Sequence, residues 1–431
     1  MKILHITTHM GGGAGKAVAG LMLQCARQED IEQRLLMLEP PEKLSHINSL
    51  SQERLEIIIG DEADLMRLTE WADIVVLSWW DHPLTSKLLI DISKLKCRMA
   101  LWIHINGCSY PYLPFEFANL PDMLFVTTRY TLENPLWSIN ERRTIAEKAR
   151  LISGVGDFRP KDIIPKADYE LSGKFVVGYV GTLNYAKMHK DYLVYCKAAI
   201  NKIPNIHFLI VGDRGEELLE EIRELGLSDY FSFTGYVEDI YEQYHRMDVL
   251  GYLLNADNYG TTENVILEAM AAGLPVVTCK NGPESYILQN DFTGYLVESP
   301  EEYGECLNRL YDFKELRQRL GKSARDFVIK NYSIEATAEN FLDSLHGMMH
   351  FHKVQHDFEE VMGTTVFEWF KAFTGPDKPF FDQLGQKSSE EIRGFLRNCP
   401  PIYKEKTKSS FKHFLNYYEC EELQILLKEM E

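Results

Sequence analysis

The stretch NYGTTENVILEAMAAGLPVVTCKNGPE, residues 258–284, decides how the chain folds. Apolar residues recur at helical spacing from Val265 to Ala272, then Gly273 and Pro275 end the helix and the short run VVTC follows. Thr261 or Thr262 is placed to cap that helix. Just before it, DVLGYLLN (248–255) has the continuous apolar character of a strand buried on both faces. Strand, helix and strand in this order make a parallel crossover, so the helix starts at the carboxyl end of its strand, where α/β sheets bind ligands. N–H groups near Glu263, Asn264 and Val265 would there receive a diphosphate. A carboxylate beside a phosphate is repelled unless it binds hydroxyls, so sugar hydroxyls are the natural partners of Glu263. Glu268 lies about 140 degrees further round the helix, which keeps the two carboxylates from sharing a metal.

Outward from this stretch the same alternation repeats. KILHITT, QRLLMLE, RLEIIIG, DIVVLSWW, RMALWIHI and MLFVTT read as buried strands of a first layered domain. A proline-containing linker around residues 161–173 follows, and the pattern restarts with KFVVGYVG, IHFLIVGD, YFSFTGYV, DVLGYLLN, LPVVTC and TGYLVE. We read an α/β chain of two Rossmann-like domains, residues 1–165 and 166–332, with a helical extension over 333–431. That division suits 431 residues, too many for a single core.

Composition excludes several classes. A net charge of -18 disfavours nonspecific nucleic-acid binding, which needs clustered Lys and Arg. No apolar run approaches a membrane span, and MKILHITTHM lacks the features of a secretory leader, so the expected location is the cytoplasm with at most peripheral membrane contact. Eight cysteines without a Cys-x-x-Cys pair argue against zinc and against a disulfide framework.

HMGGGAGKAV, after the first strand, has Met10 and Ala17 where a Walker loop needs Gly and Ser or Thr. Its glycines, Gly12 and Gly13 among them, still let a ligand approach the backbone at a helix start, or simply form a tight turn.

NVILEAMAAGLPVV, preceded by VGYVGTLNYAK, LIVGD and FTGYVEDI, resembles the nucleotide-sugar domain of the retaining group 1 glycosyltransferases of the GT-B fold. The resemblance covers about the first 345 residues and is strongest over 176–297. It implies two facing Rossmann-like domains, an acceptor in the first and a nucleoside-diphosphate sugar in the second, and metal-independent transfer with retention. It implies no cofactor; the donor would be a UDP- or GDP-linked sugar. By the same resemblance Glu268 binds the donor ribose, Lys187 the diphosphate, and His104 the transferred sugar, while Gly12 and Gly13 face the donor phosphate and acceptor. Thr182, Tyr236, Asn264 and Val265 fall within its donor-binding segments. Two positions depart from the pattern: Gly260 stands where the family has its first Glu, and Thr182 replaces the common Arg. Glu263 is the candidate replacement for the first, and Lys187 with Arg214 for the second.

Trp79, Trp80, Asp81 and His82, with Tyr110 and Tyr112, are expected on loops that suit either acceptor binding or loop packing. His346, His350, His352 and His356 have metal-ligand spacing on what reads as a solvated helix. The aromatic extension needs burial, and we expect self-association or docking of the acceptor there. The implied activity is hexose transfer to a glycan, lipid-linked or protein acceptor. A sugar-nucleotide epimerase and an inactive sugar-nucleotide-binding protein are the alternatives.

Overall fold

The computed structural model describes the chain except residues 42–44, 54, 167–172, 186, 214, 238, 256–259, 281, 405–408 and 431, and the side chains of residues 45 and 46. It divides into two compact units, residues 1–157 with 334–431, and residues 158–333.

The first unit is built on strands β1 (Lys2–Thr7), β2 (Glu32–Met37), β3 (Glu56–Ile59), β4 (Ile74–Trp79), β5 (Met99–Ile103), β6 (Met123–Val126) and β7 (Ala149–Leu151). They form one sheet in the order β3-β2-β1-β4-β5-β6-β7, parallel throughout. The strands from β4 to β6 are buried along their whole length, which is why their sequences run apolar without alternation. The helix Gly12–Cys25 covers one face, and the helix Ile334–Met348 returns to the same layer. Ala338, Phe341, Leu345 and Met348, spaced as one helical face, enter the core with Val18, Met22 and Phe125.

The second unit has β8 (Phe175–Val180), β9 (Ile206–Val211), β10 (Phe231–Phe233), β11 (Val249–Tyr252), β12 (Val276–Cys279) and β13 (Gly294–Val297). Their order is β10-β9-β8-β11-β12-β13, again parallel. In both sheets the chain order reverses direction at one place, between β1 and β4 in the first and between β8 and β11 in the second. Such switch points open a crevice at the carboxyl edge, because the loops of the two neighbouring strands lead away to opposite faces.

The extension belongs to the first unit. Phe370, Phe373, Phe381, Phe411 and Phe414 are buried, and Phe373 packs 4.9 Å from both Trp79 and Phe117. The aromatic surface expected to need a partner is therefore covered largely by its own chain. The histidine segment also differs from expectation, because the helix ends at Met348. His346, His350 and His352 are exposed, whereas His356 is buried. It contacts the Leu120 carbonyl at 3.0 Å, the Cys97 carbonyl at 3.3 Å and the Asp122 carboxylate at 3.3 Å. Burial pulls its pKa down, but the bonds to Asp122 and Cys97 outweigh that and raise it to about 10. With an acceptor at each ring nitrogen it is an imidazolium fastening the extension to the sheet.

Candidate donor site and acceptor loops

In the second unit the helix of the opening stretch runs Asn264–Ala271. Neither Thr261 nor Thr262 caps it. Its N-cap is Glu263, held in the left-handed region at φ 41° with no side-chain cap bond. That conformation turns the carboxylate away from the helix and into the protein. Its Oε2 accepts from the buried Tyr252 hydroxyl at 2.9 Å and lies 3.4 Å from Lys187 Nζ. Gly273 ends the helix in the left-handed conformation at φ 81°, as its sequence position predicts.

Lys187 is brought there by the loop after β8, which pairs with the segment after β11. His189 donates to the Leu253 carbonyl at 3.0 Å, and Asn255 donates to the Lys187 carbonyl at 2.8 Å. Lys187 and Glu263 thus face each other at the β8–β11 switch point, beside the first turn formed by Asn264 and Val265. Glu268 looks elsewhere: its Oε2 accepts from Tyr244 at 3.2 Å, and that hydroxyl also reaches the Val265 carbonyl at 3.3 Å. The two carboxylates occupy separate sockets, as the helix geometry requires. Burial, together with Glu263, pushes the Tyr252 pKa well above its usual value, and burial with Glu268 does the same for Tyr244. Both phenols therefore stay donors, and both carboxylates keep one hydrogen-bonded oxygen fixed.

Thr182 is exposed just after β8, and Tyr236, 77% exposed, follows β10. Arg214 lies outside the described residues. A hollow of about 710 Å³ at the opposite, amino-terminal edge is lined by Lys166, Arg317 and Arg325. Lys166 and Arg317 there meet Asp248, and Arg325 donates to the Ala271 carbonyl.

In the first unit Gly12 and Gly13 start the helix after β1 with open space beside them, and only Gly12 has positive φ, at 59°. His104 follows β5, and its backbone N–H donates to the Trp79 carbonyl at 2.8 Å. Burial holds its imidazole neutral, with a pKa near 3, and Nε2 makes no hydrogen bond among the described residues. Trp79 does not lie on a loop: it closes β4, fully buried against Phe117 and Phe373, which removes it from any acceptor surface. Tyr110 is likewise buried, stacked 3.8 Å from Tyr403. Trp80 is half-buried, its ring 6.1 Å from His104 and 5.4 Å from His9. His82 is buried as the N-cap of the helix Pro83–Ile92. Sequence reading did not single out His9 and Glu39, which lie two residues beyond the carboxyl ends of β1 and β2, at the edge where an α/β sheet puts its ligand groups.

Residues 161–327 match the family described as glycosyl transferases group 1. The spore coat protein SA of Bacillus subtilis (strain 168) is 29% identical over 190 residues, 41% of this chain and 50% of that protein. The N-acetyl-alpha-D-glucosaminyl L-malate synthase of Bacillus anthracis is 28% identical over 216 residues, 47% of this chain and 55% of that one. The chain thus spans about half the length of these curated relatives. Among solved structures, Anabaena HepE with UDP superposes with a TM-score of 0.63 at 16% identity, covering 80% of this chain and all of that one. Sucrose-phosphate synthase from Thermosynechococcus elongatus gives 0.60 at 17% identity, covering 81% and 99%. The two parallel sheets and these neighbours define the GT-B fold. The match to the group 1 glycosyltransferase family lies in residues 161–327, within the second unit.

Proposed function

We propose that the protein is a retaining, metal-independent hexosyltransferase that uses a nucleoside-diphosphate sugar and a glycan, lipid-linked or protein acceptor. The observation that carries this reading is the Lys187–Glu263 pair at the β8–β11 switch point, beside a helix N-terminus. A diphosphate there meets the Lys187 ammonium and the positive end of the helix. The carbon–oxygen bond to the diphosphate breaks as the bond to the acceptor hydroxyl forms, and the acceptor's proton passes to a departing phosphate oxygen on the same face. Lys187 stabilises the charge that grows on the leaving group. Glu268, its second oxygen held by Tyr244, accepts from the ribose hydroxyls, and Glu263 accepts from the hexose. His104 is assigned to the transferred sugar as a neutral hydrogen-bonding imidazole. Anabaena HepE was also solved with UDP-glucose, which supports a UDP-linked hexose as donor.

A second reading has its own observation. With Gly260 in place of a carboxylate, Glu263 neutralises Lys187, and a site whose cation is already paired favours a binder that transfers slowly or not at all. Thermal shift against UDP-, GDP- and ADP-sugars, followed by release of nucleoside diphosphate in the presence of chelator, separates the two. The transferase raises the melting temperature with one nucleotide class and hydrolyses its sugar slowly without metal. Stabilisation with no hydrolysis and no transfer identifies the binder, and strict dependence on magnesium or manganese overturns the proposed mechanism.

A further inference from the structure

The carboxyl edge of the first sheet holds a polar cluster that the donor reading does not use. His9 follows β1, Glu39 follows β2, and Trp80 and His82 follow β4, so the group sits at that sheet's own switch point. One ligand atom from each of His9, Glu39 and His82 lies within 4.8 Å of the others. Two histidines and a carboxylate at this spacing are metal-ligand chemistry. The hydrogen bonds oppose it. The Gly11 N–H donates to His9 Nδ1 at 3.0 Å, and the Leu84 N–H donates to His82 Nδ1 at 3.2 Å. In the neutral rings each Nδ1 is therefore the occupied acceptor, and each Nε2 carries the hydrogen. A histidine that binds metal through Nε2 needs Nδ1 protonated and donating, which here would aim hydrogen at hydrogen.

What the cluster does offer is the N–H of the half-buried His9, one carboxylate acceptor that is 25% exposed, and the half-buried face of Trp80, with the buried His82 behind them. Burial first, then His413 and His9, lowers the His82 pKa to about 2, so that ring stays neutral. A donor, an acceptor and an aromatic face are complementary to a sugar ring, which presents hydroxyls at its rim and C–H groups on its faces.

The remaining wall comes from the far end of the chain. The Tyr417 hydroxyl donates to Glu39 Oε2 at 2.8 Å, and the rings of His413 and Tyr417 stand 4.6 Å and 5.0 Å from His82. The Ser409 hydroxyl reaches the carbonyls of Asp81 at 2.8 Å and Trp80 at 3.2 Å. Between Trp80 and His82, Asp81 is left-handed at φ 60°, with a fully buried carboxyl whose oxygens make no hydrogen bond among the described residues. A turn with that strain persists only when its surroundings hold it, and the two Ser409 bonds are part of that hold.

We propose that residues 409–417 of the C-terminal extension form one wall of a binding site for the hydroxyls of a neutral sugar, completed by His9, Glu39 and Trp80 over the buried His82. The inference rests on the transferase reading in one respect: the bound sugar would be the terminal residue of the acceptor.

Saturation-transfer NMR on the full-length chain tests it, with the methyl glycosides of glucose, galactose, mannose and N-acetylglucosamine as probes and UDP and GDP titrated in parallel. At least one glycoside is expected to give a saturable signal. Glu39→Gln and Trp80→Ala should weaken it about tenfold or more, and Tyr417→Phe by a smaller factor. Thermal melting of Glu39→Gln and Tyr417→Phe, both near-isosteric, shows that loss of signal is not loss of fold. The proposal is overturned if no glycoside binds while nucleotide does, a result that leaves the transferase reading standing. It is equally overturned if these variants bind like the parent, or if stoichiometric zinc binds and His82→Ala abolishes it. Glycoside binding without nucleotide binding retains this site and removes the transferase reading.

Discussion

Glu263 holds a backbone conformation that its side chain disfavours, at a cost of about 1 kcal/mol. Its carboxylate thereby reaches Tyr252 and Lys187. Glu263→Gly would relieve the strain but leave the buried Tyr252 hydroxyl without this acceptor, a loss of about 1–3 kcal/mol. Net destabilisation in urea melts is the expected result. Glu263→Gln keeps an acceptor for Tyr252 and removes the charge. If the carboxylate serves the hexose, turnover should fall about tenfold or more while affinity for free UDP or GDP changes little. Equal losses in both would place Glu263 with the phosphate. For Glu268→Ala, isothermal titration should show nucleoside-diphosphate binding weakened by about 1.5–3 kcal/mol, and unchanged affinity would remove Glu268 from the ribose. Lys187→Ala should slow transfer by about a hundredfold, read as initial rates with chelator present.

At the scale of elements, the extension is a load on the first sheet and not an appendage. Phe373 fills the space between Trp79 and Phe117, so Phe373→Ala is expected to cost about 3–5 kcal/mol in denaturant melts of the first unit. Truncation after Leu345 would uncover Trp79 and Phe117 together. Light scattering should then report aggregation, whereas a monodisperse product with normal near-ultraviolet dichroism would contradict this packing. None of this was legible locally. The strands were, because residues such as Ile74–Trp79 are buried on both faces and their apolar run needs no context. Three-residue β7, ARL, carries no such run and was missed. The left-handed cap at Glu263 was missed because Thr261 and Thr262 have the side chains that normally cap, whereas the Glu263 carboxylate is held by Tyr252 and Lys187, distant in sequence. Lys187 and Glu268 were singled out through a resemblance to a sequence pattern, whereas the Ser409 bond to Trp80 spans 329 residues and leaves no periodic mark.

For the whole molecule, buried imidazoles set the pH range of stability. Burial depresses His5 to about 4, His82 to about 2, His104 to about 3 and His413 to about 4. An unfolded histidine takes up its proton near pH 6.5, so below that the unfolded chain binds more protons and stability falls as pH drops toward about 4. His356 has the opposite sign. Its contribution is complete below about pH 6.5 and is lost as pH rises through its folded value of about 10. Melting temperature should therefore peak near pH 6.5–7, and His356→Gln should flatten the alkaline side while sparing the acid side. An alkaline slope unchanged in that variant would assign it to other groups. The division of the chain also bears on biosynthesis. Residues 1–157 leave the ribosome early, but the helix and aromatic residues that complete their core belong to 334–431. At ordinary elongation rates the intervening segment takes about 10–35 s to make. During that interval the second unit, a continuous segment, has everything it needs to fold, while the first waits with Trp79 and Phe117 uncovered, so newly made chains should depend on chaperones until residues 334–431 emerge.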